Sequence, residues 1–239
     1  MNTVSINKRN VKMIAHRGVS GLEMENSLVA FVAAGNRSYF GIETDVHVTK
    51  DQKIIVIHDD STLRVTGIDK VVEECTLNEL QAMPLYDMTE GVFRTDLHMP
   101  LLEEYIRVCK KYEKKAVLEL KNTMTVPDIQ QIIDIIKAED YLPEVIFISF
   151  SWDNCVNLRQ LLPEQRVQFL TNECDNELIE KLVANKLELD IDYKTLTKEL
   201  IDTLHANNII VNCWTVNDKE KGEELASWGI DFITTNILE

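Results

Sequence analysis

The chain has 239 residues, with 40 acidic against 25 basic side chains and a net charge of −15. That balance argues against nucleic acid or an anionic membrane surface as a partner, since either calls for a basic face. A length of 239 fits one (β/α)8 barrel as a single domain, 1–239, whose core needs no disulfide staples.

Short apolar runs read as strands at 12–15, 41–46, 115–120, 145–150, 166–170, 188–191, 209–214 and 231–234. Segments with apolar residues every three or four positions, 27–34, 103–112, 126–138, 152–162, 177–184, 198–206 and 219–228, read as the helices between them. Such alternation makes a parallel sheet with crossover helices, and eight strands close a barrel.

Two features break the repeat. Residues 59–100 are too long for a βα connection and hold Gly67, Pro84, Gly91 and Pro100 with one short helical signal, at 77–83. They are expected to form a small insertion, at about 60–99, overhanging the face where loops after strands build active sites. After the eighth strand only a few residues remain, too few for an eighth helix. Either residues 1–11 or a second copy of the chain, in a homodimer, is expected to cover that flank.

The polar residues worth weighing lie at strand ends. His16, after the first strand, is followed by Arg17 and by Gly18, which lets the backbone turn so that the guanidinium also faces the mouth. There it would suit bidentate phosphate binding. Asn26 and Ser27 both suit the N-cap of the first helix. In the second strand, alternation puts Glu43 and Asp45 on one side. Buried together they raise one pKa or destabilise the fold unless a cation joins them, and oxygen ligands favour Mg2+ or Ca2+. A salt bridge to Lys or Arg is the plainer alternative.

His58 follows the apolar run 54–57 and precedes Asp59, which suits orienting the ring or capping the next turn. Glu119 and Lys121, two apart on the third strand, share a side, and Glu119 completes a three-carboxylate cluster with Glu43 and Asp45. One divalent cation there, with Lys121 and Arg17 beside it, would neutralise phosphate oxygens as charge builds. His16 and His58 would then serve as acid and base, roles each worth ~10²–10⁴ in rate. His47 shares the face of Glu43 and Asp45 but stands above the cluster, His98 lies in the long loop and His205 on a helix. Trp214, ending the seventh strand, offers a wall for the carbon skeleton of a small polyol, whereas Trp152 and Trp228 fall in helical patterns and read as packing.

The five cysteines, Cys75, Cys109, Cys155, Cys174 and Cys213, are odd in number and without C-x-x-C spacing. They read as buried thiols in a reducing compartment. Residues 1–12 hold no run of signal-peptide length and no stretch approaches the ~18 apolar residues of a membrane span, so a cytoplasmic protein without membrane insertion is expected.

Taken in order, His16-Arg17-Gly18, Glu25-Asn26-Ser27, Ile42-Glu43-Thr44-Asp45-Val46, His58-Asp59, Arg64-Val65-Thr66-Gly67, Leu118-Glu119-Leu120-Lys121 and Trp214-Thr215-Val216-Asn217 resemble the motifs of the glycerophosphodiester phosphodiesterases. The resemblance runs from His16 to Asn236. It implies a (β/α)8 barrel with an insertion after the second strand, hydrolysing glycerophosphodiesters to sn-glycerol 3-phosphate and an alcohol with one divalent cation. It assigns His16 and His58 as the acid–base pair, Glu43, Asp45 and Glu119 as metal ligands, Arg17 and Lys121 to phosphate, and Trp214 to glycerol. Met24 stands where the family often has proline, and Asn236 where it often has aspartate. A related barrel cleaving intact lipids, of sphingomyelinase D or phosphatidylinositol-specific phospholipase C type, would need an apolar or basic rim, against the overall charge. A barrel that only binds phosphorylated ligands would tolerate loss of a histidine or a carboxylate, yet every one of these groups is present.

Overall fold

Strands buried on both faces must be apolar nearly throughout, and the alternation then decides only which side chains fill the lumen and which meet the helices. The computed structural model describes residues 2–87 and 91–239. Its strands are β1 (Lys12–Ala15), β2 (Gly41–Val48), β3 (Ile54–Val56), β4 (Leu85–Asp87), β5 (Val92–Arg94), β6 (Lys115–Leu120), β7 (Val145–Ser149), β8 (Arg166–Thr171), β9 (Glu188–Asp192), β10 (Val211–Trp214) and β11 (Phe232–Thr235). The helices are α1 (Leu28–Gly35), α2 (Leu63–Thr66), α3 (Leu77–Gln81), α4 (Leu102–Lys111), α5 (Val126–Ala138), α6 (Trp152–Leu161), α7 (Asn176–Asn185), α8 (Lys198–Ala206) and α9 (Lys219–Trp228).

Strands β1, β2 and β6 to β11 pair in parallel, and β1 bonds to both β2 and β11, which closes the (β/α)8 barrel. On β6 the alternation is visible directly. Val117 joins Ile14, Ile146, Ile148, Leu170 and Phe232 in the apolar lumen, while Ala116, Leu118 and Leu120 belong to the larger core shared with the helices. Helix α5 shows why these segments are helical. Thr125 caps it reciprocally with Asp128, Pro127 sits in the first turn, and Ile129, Ile132, Ile133 and Ile136 form one buried face.

Strand β2 runs two residues beyond the expected 41–46 because β3 folds back on it antiparallel, pairing Val46 with Val56 and Val48 with Ile54. Beyond β3 the chain builds α2, α3 and the β4–β5 hairpin around a separate apolar cluster that includes Ile57, Val65, Val72, Leu80, Leu85 and Met99. Met24, from the loop after β1, is buried in that cluster, so the position where proline was expected ties loop and insertion together.

The flank beside β11 is covered from within the chain. Val4 bridges to Leu238 in parallel, the amide of Ile6 donates to the carbonyl of Glu239 at 3.0 Å, and Ile6 and Leu238 are both buried. A second copy of the chain, the other expected cover, is therefore not needed to bury that surface. Cys75, Cys109, Cys155 and Cys213 are buried free thiols, whereas Cys174 is half-buried. No helix among the described residues is long and apolar enough to cross a membrane.

Candidate active site

His16, Arg17, His58, Glu119, Lys121 and Trp214 stand at or just beyond the carboxyl end of a strand, and Glu43 and Asp45 lie within β2. The β2–β6 register aligns Asp45 with Glu119, and alternation puts Glu43 on the same inward side. Ligand oxygens of Glu43, Asp45 and Glu119 lie within 4.8 Å of one another, with the three side chains 2%, 0% and 7% exposed.

Packing three carboxyls so closely out of water is unfavourable if all are charged. Burial first, and then the charge of Asp45, pushes the Glu43 carboxyl well above its usual range. The same two causes push Glu119 up to about 8. Burial opposes ionisation of Asp45 too, but Arg17, His58 and Lys121 outweigh it and hold this carboxyl below its usual range. Arg17 Nε lies 3.6 Å from Asp45 Oδ2 and Lys121 Nζ 3.8 Å from Asp45 Oδ1. Lys121 also donates to Glu119 Oε1 at 2.8 Å.

Ion pairing, the plainer expectation, thus accounts for Asp45 and part of Glu119 but not for the cluster. Among the described residues, Glu43 is met only by the backbone amide of Arg17 at 2.7 Å and by His16 Nε2 at 4.0 Å. Asp45 Oδ1 has no hydrogen-bond partner among the described residues. A buried, oxygen-only donor set with an orphaned oxygen fits a hard divalent ion.

These energetics make stability depend on pH. In the ion-free protein Glu119 titrates at about 8 when folded, from an ordinary value of 4.5. Folding therefore favours its protonated form, and that contribution is complete below the unfolded pKa and lost as pH rises through about 8. The unfolding midpoint of the ion-free protein is expected to fall as pH rises from about 4.5 to about 8, and less so in Glu119→Gln. Added Mg2+ or Ca2+ should restore it most at the alkaline end, because the ion binds the ionised carboxylates. Equal stabilisation at both ends would show that these carboxylates do not hold the ion.

His16 leaves β1 with its Nδ1 at 2.7 Å from Asn236 Oδ1. Asn236 is itself fixed, its amide donating to Asn217 Oδ1 at 2.8 Å. An Nδ1–H donated to the amide oxygen leaves Nε2 as an acceptor facing the carboxylates. Burial first, and the neighbouring Arg17 guanidinium next, push this imidazole down to about 4, so it is neutral near pH 7. Arg17 and Gly18 both adopt positive φ, 53° and 76°. At Gly18 a Cβ would also come within 2.7 Å of the Ala30 backbone, so the turn that aims Arg17 inward requires glycine there.

His58 is positioned by the β2–β3 return. The Ile57 amide donates to the Asp45 carbonyl at 3.2 Å, and His58 Nδ1 lies 2.6 Å from Asp59 Oδ1. Burial and then the charges of Arg17 and Lys121 lower its pKa against the pull of Asp45. His47 does not face the cavity. It is fully buried, with Nδ1 at 3.0 Å from Glu73 Oε1 and Nε2 at 3.4 Å from the His58 carbonyl, and so supports the backbone that carries His58.

Sequence reasoning undervalued three neighbours. Asn26 is not the N-cap. Ser27 caps α1, accepting from the Ala30 amide, while Asn26 donates to Asp45 Oδ2 at 2.8 Å. Glu25 accepts from Arg17 at 3.0 Å and from Arg64 at 2.8 Å, and Arg64 also donates to Asp59 at 2.6 Å. That relay couples the Arg17 guanidinium to the carboxylate behind His58. Both residues stood inside quoted motifs, and only their partners were hidden.

A cavity of about 280 Å³ is lined by His16, Arg17, Glu43, His58, Glu119 and Trp214, among others. It shares His58, Glu119 and Phe150 with a wider cleft of about 670 Å³ that also contains Lys121. Trp214 packs edge-on to Phe150, ring centres 5.6 Å apart. The mouth therefore brings two imidazoles, a carboxylate cluster and two cations around one space with an aromatic wall.

The chain is also similar to known proteins. The model of the glycerophosphoryl diester phosphodiesterase family matches residues 16–239. The chain is 29% identical to a glycerophosphodiester phosphodiesterase of Bacillus altitudinis, covering 95% of this chain and 94% of that protein. Among solved structures it resembles an Oleispira antarctica phosphodiesterase in complex with the product sn-glycerol-3-phosphate, with 25% identity, a TM-score of 0.86 and coverage of 98% and 96%. It also resembles a glycerophosphodiester phosphodiesterase from Parabacteroides distasonis, with 29% identity, a TM-score of 0.79 and coverage of 95% and 93%.

Proposed function

Because the chain belongs to the glycerophosphoryl diester phosphodiesterase family, we propose that its barrel mouth hydrolyses glycerophosphodiesters to sn-glycerol 3-phosphate and an alcohol by metal-assisted, two-histidine catalysis. The observation that carries this reading is the convergence of His16, His58 and the buried cluster Glu43, Asp45 and Glu119 on shared space. The product bound by the Oleispira antarctica relative supports the same chemistry.

Glu43, Asp45 and Glu119 hold the ion, Mg2+ or Ca2+, which when bound would draw charge from a phosphoryl oxygen. Arg17 and Lys121 take the non-bridging oxygens. Both cations already sit against Asp45, so they are oriented before substrate arrives. Neutral His16 accepts through Nε2 a proton of the attacking water, whose oxygen bonds to phosphorus as the bond from phosphorus to the alcohol oxygen breaks. His58, with Asp59 behind its Nδ1 to stabilise an imidazolium, donates to the departing alkoxide. Burial lowers the His58 pKa most and the two cations next, and the single negative charge of the incoming phosphodiester offsets part of the cations' effect, which favours the protonated ring. Trp214 packs on the glycerol carbons, and the insertion after β3, rimming the mouth beside His58, selects the leaving alcohol.

The direct test is a set of diesters bearing choline, ethanolamine, inositol or glycerol, each assayed for released glycerol 3-phosphate with Mg2+ and with Ca2+. Release from at least one diester that needs the added ion is expected. Hydrolysis of none of them under any ion would end this reading.

A further inference from the structure

We propose that Asp190 determines specificity in this site, its carboxyl hydrogen-bonding the terminal hydroxyl of the glycerol moiety; the proposal rests on the glycerophosphodiesterase reading above. Asp190 lies in the middle of β9 and is 1% exposed. It lines the same cavity as His16, Glu43 and Trp214. Its Oδ2 accepts from Asn212 Nδ2 at 3.1 Å, but its Oδ1, also out of water, has no hydrogen-bond partner among the described residues. Buried carboxyl oxygens are rarely left so, because the unmet hydrogen bond costs stability.

The surroundings hold that oxygen unpaired. Asn212 Nδ2 is shared with Gln168 Oε1 at 3.2 Å, and its own oxygen accepts from Thr234. Gln168 donates to Glu188 at 2.9 Å, and Glu188 is bound at two points by Arg166, both at 2.8 Å. The donors of Asn212, Gln168, Thr234 and Arg166 are thus committed, and the network fixes the carboxyl rather than satisfying it.

The occupant follows from chemistry. Asp190 is not among the carboxylates close enough to share the ion of the catalytic cluster. A phosphate oxygen would meet a carboxyl instead of the cations Arg17 and Lys121. The cavity wall on this side is Ile148, Leu170 and Trp214, which suits carbon. A short carbon skeleton ending in a hydroxyl meets both demands. Burial, and next the charge of Glu119, hold the Asp190 carboxyl well above the usual range, so it can donate as well as accept. The hydroxyl nearer phosphorus lies at the reacting end, which leaves the terminal one for Asp190.

The test compares glycerophosphocholine with propane-1,2-diol phosphocholine, which keeps the inner hydroxyl and lacks the terminal one. The parent enzyme is expected to prefer the glycerol diester by at least ~10² in kcat/KM, since a site built to bond a hydroxyl rejects the analogue without it. Asp190→Ala should lose that preference by slowing on the glycerol diester alone, with the analogue within about threefold of parent. Asp190→Asn, which keeps shape and an amide donor, should retain an intermediate preference and decides the matter if the alanine variant does not fold. An equal loss on both diesters, or an unchanged ratio in the asparagine variant, would overturn the proposal and leave the assigned reaction standing. If choline is not the head group cleaved, the same pair is made with the head group that is; a parent enzyme that cleaves no glycerol diester would overturn both.

Discussion

Replacing His16 by alanine is expected to lower turnover of a glycerophosphodiester at least ~10²-fold, and His58→Ala to do the same, with the fold intact in both. Neither ring is core. The two side chains are 18% and 31% exposed and each is held by a single polar partner on Nδ1, Asn236 and Asp59. The unfolding midpoints should therefore stay near that of the parent while activity falls. The two losses separate when the leaving group no longer needs a proton. On a p-nitrophenyl diester of glycerol phosphate, the His58→Ala defect should shrink toward parent activity, whereas the His16→Ala defect persists. If both defects persisted equally, the division of labour between the rings would be wrong; parent-like turnover in either variant would remove that ring from the chemistry.

Chelation is expected to abolish hydrolysis, with recovery on adding Mg2+ or Ca2+, and Asp45→Asn to leave only background activity at any ion concentration. Asp45 is the one member of the cluster that its cationic neighbours hold ionised in the ion-free protein. It is also aligned with Glu119 on the next strand, bonded by Asn26 and flanked by Arg17. An amide there would keep the shape while removing the charge that both the ion and the two cations depend on. Calorimetric titration of the variant with the ion should show at least ~10-fold weaker binding, the order expected when a group that tunes a metal site is lost. Full activity in excess EDTA would take the ion out of the mechanism, and parent-like ion affinity in Asp45→Asn would take Asp45 out of the ligand set.

Much of this was legible before any coordinate. Period-two alternation within β2 and β6 put Glu43, Asp45, Glu119 and Lys121 on inward faces, and the run of apolar segments gave the barrel, because both signals are local and repeat along the chain. The insertion was legible only as a length and one short helical signal at 77–83, where α3 lies, since its α2, α3 and β4–β5 hairpin are short and draw their stability from a shared cluster with Ile57 and Met24 rather than from propensity. Asp190 escaped notice for a different reason. On β9 it reads as one acid among Glu188, Asp190 and Asp192, and only Asn212, Gln168 and Arg166 from neighbouring strands show that it alone keeps a buried oxygen free.

The amino-acid order thus determined the element sequence, the inward carboxylates and the two strand-end histidines, because side-chain direction along a strand is a property of consecutive residues. Closure of the barrel decided the rest. It set Asn236 against His16 across 220 positions of chain, linked Arg17 to Asp59 through Glu25 and Arg64, and let burial and proximity keep Asp45 charged while Glu43 and Glu119 favour their protons. Those outcomes depend on which groups lose water and which charges come within a few ångströms, and both are fixed only when distant segments meet.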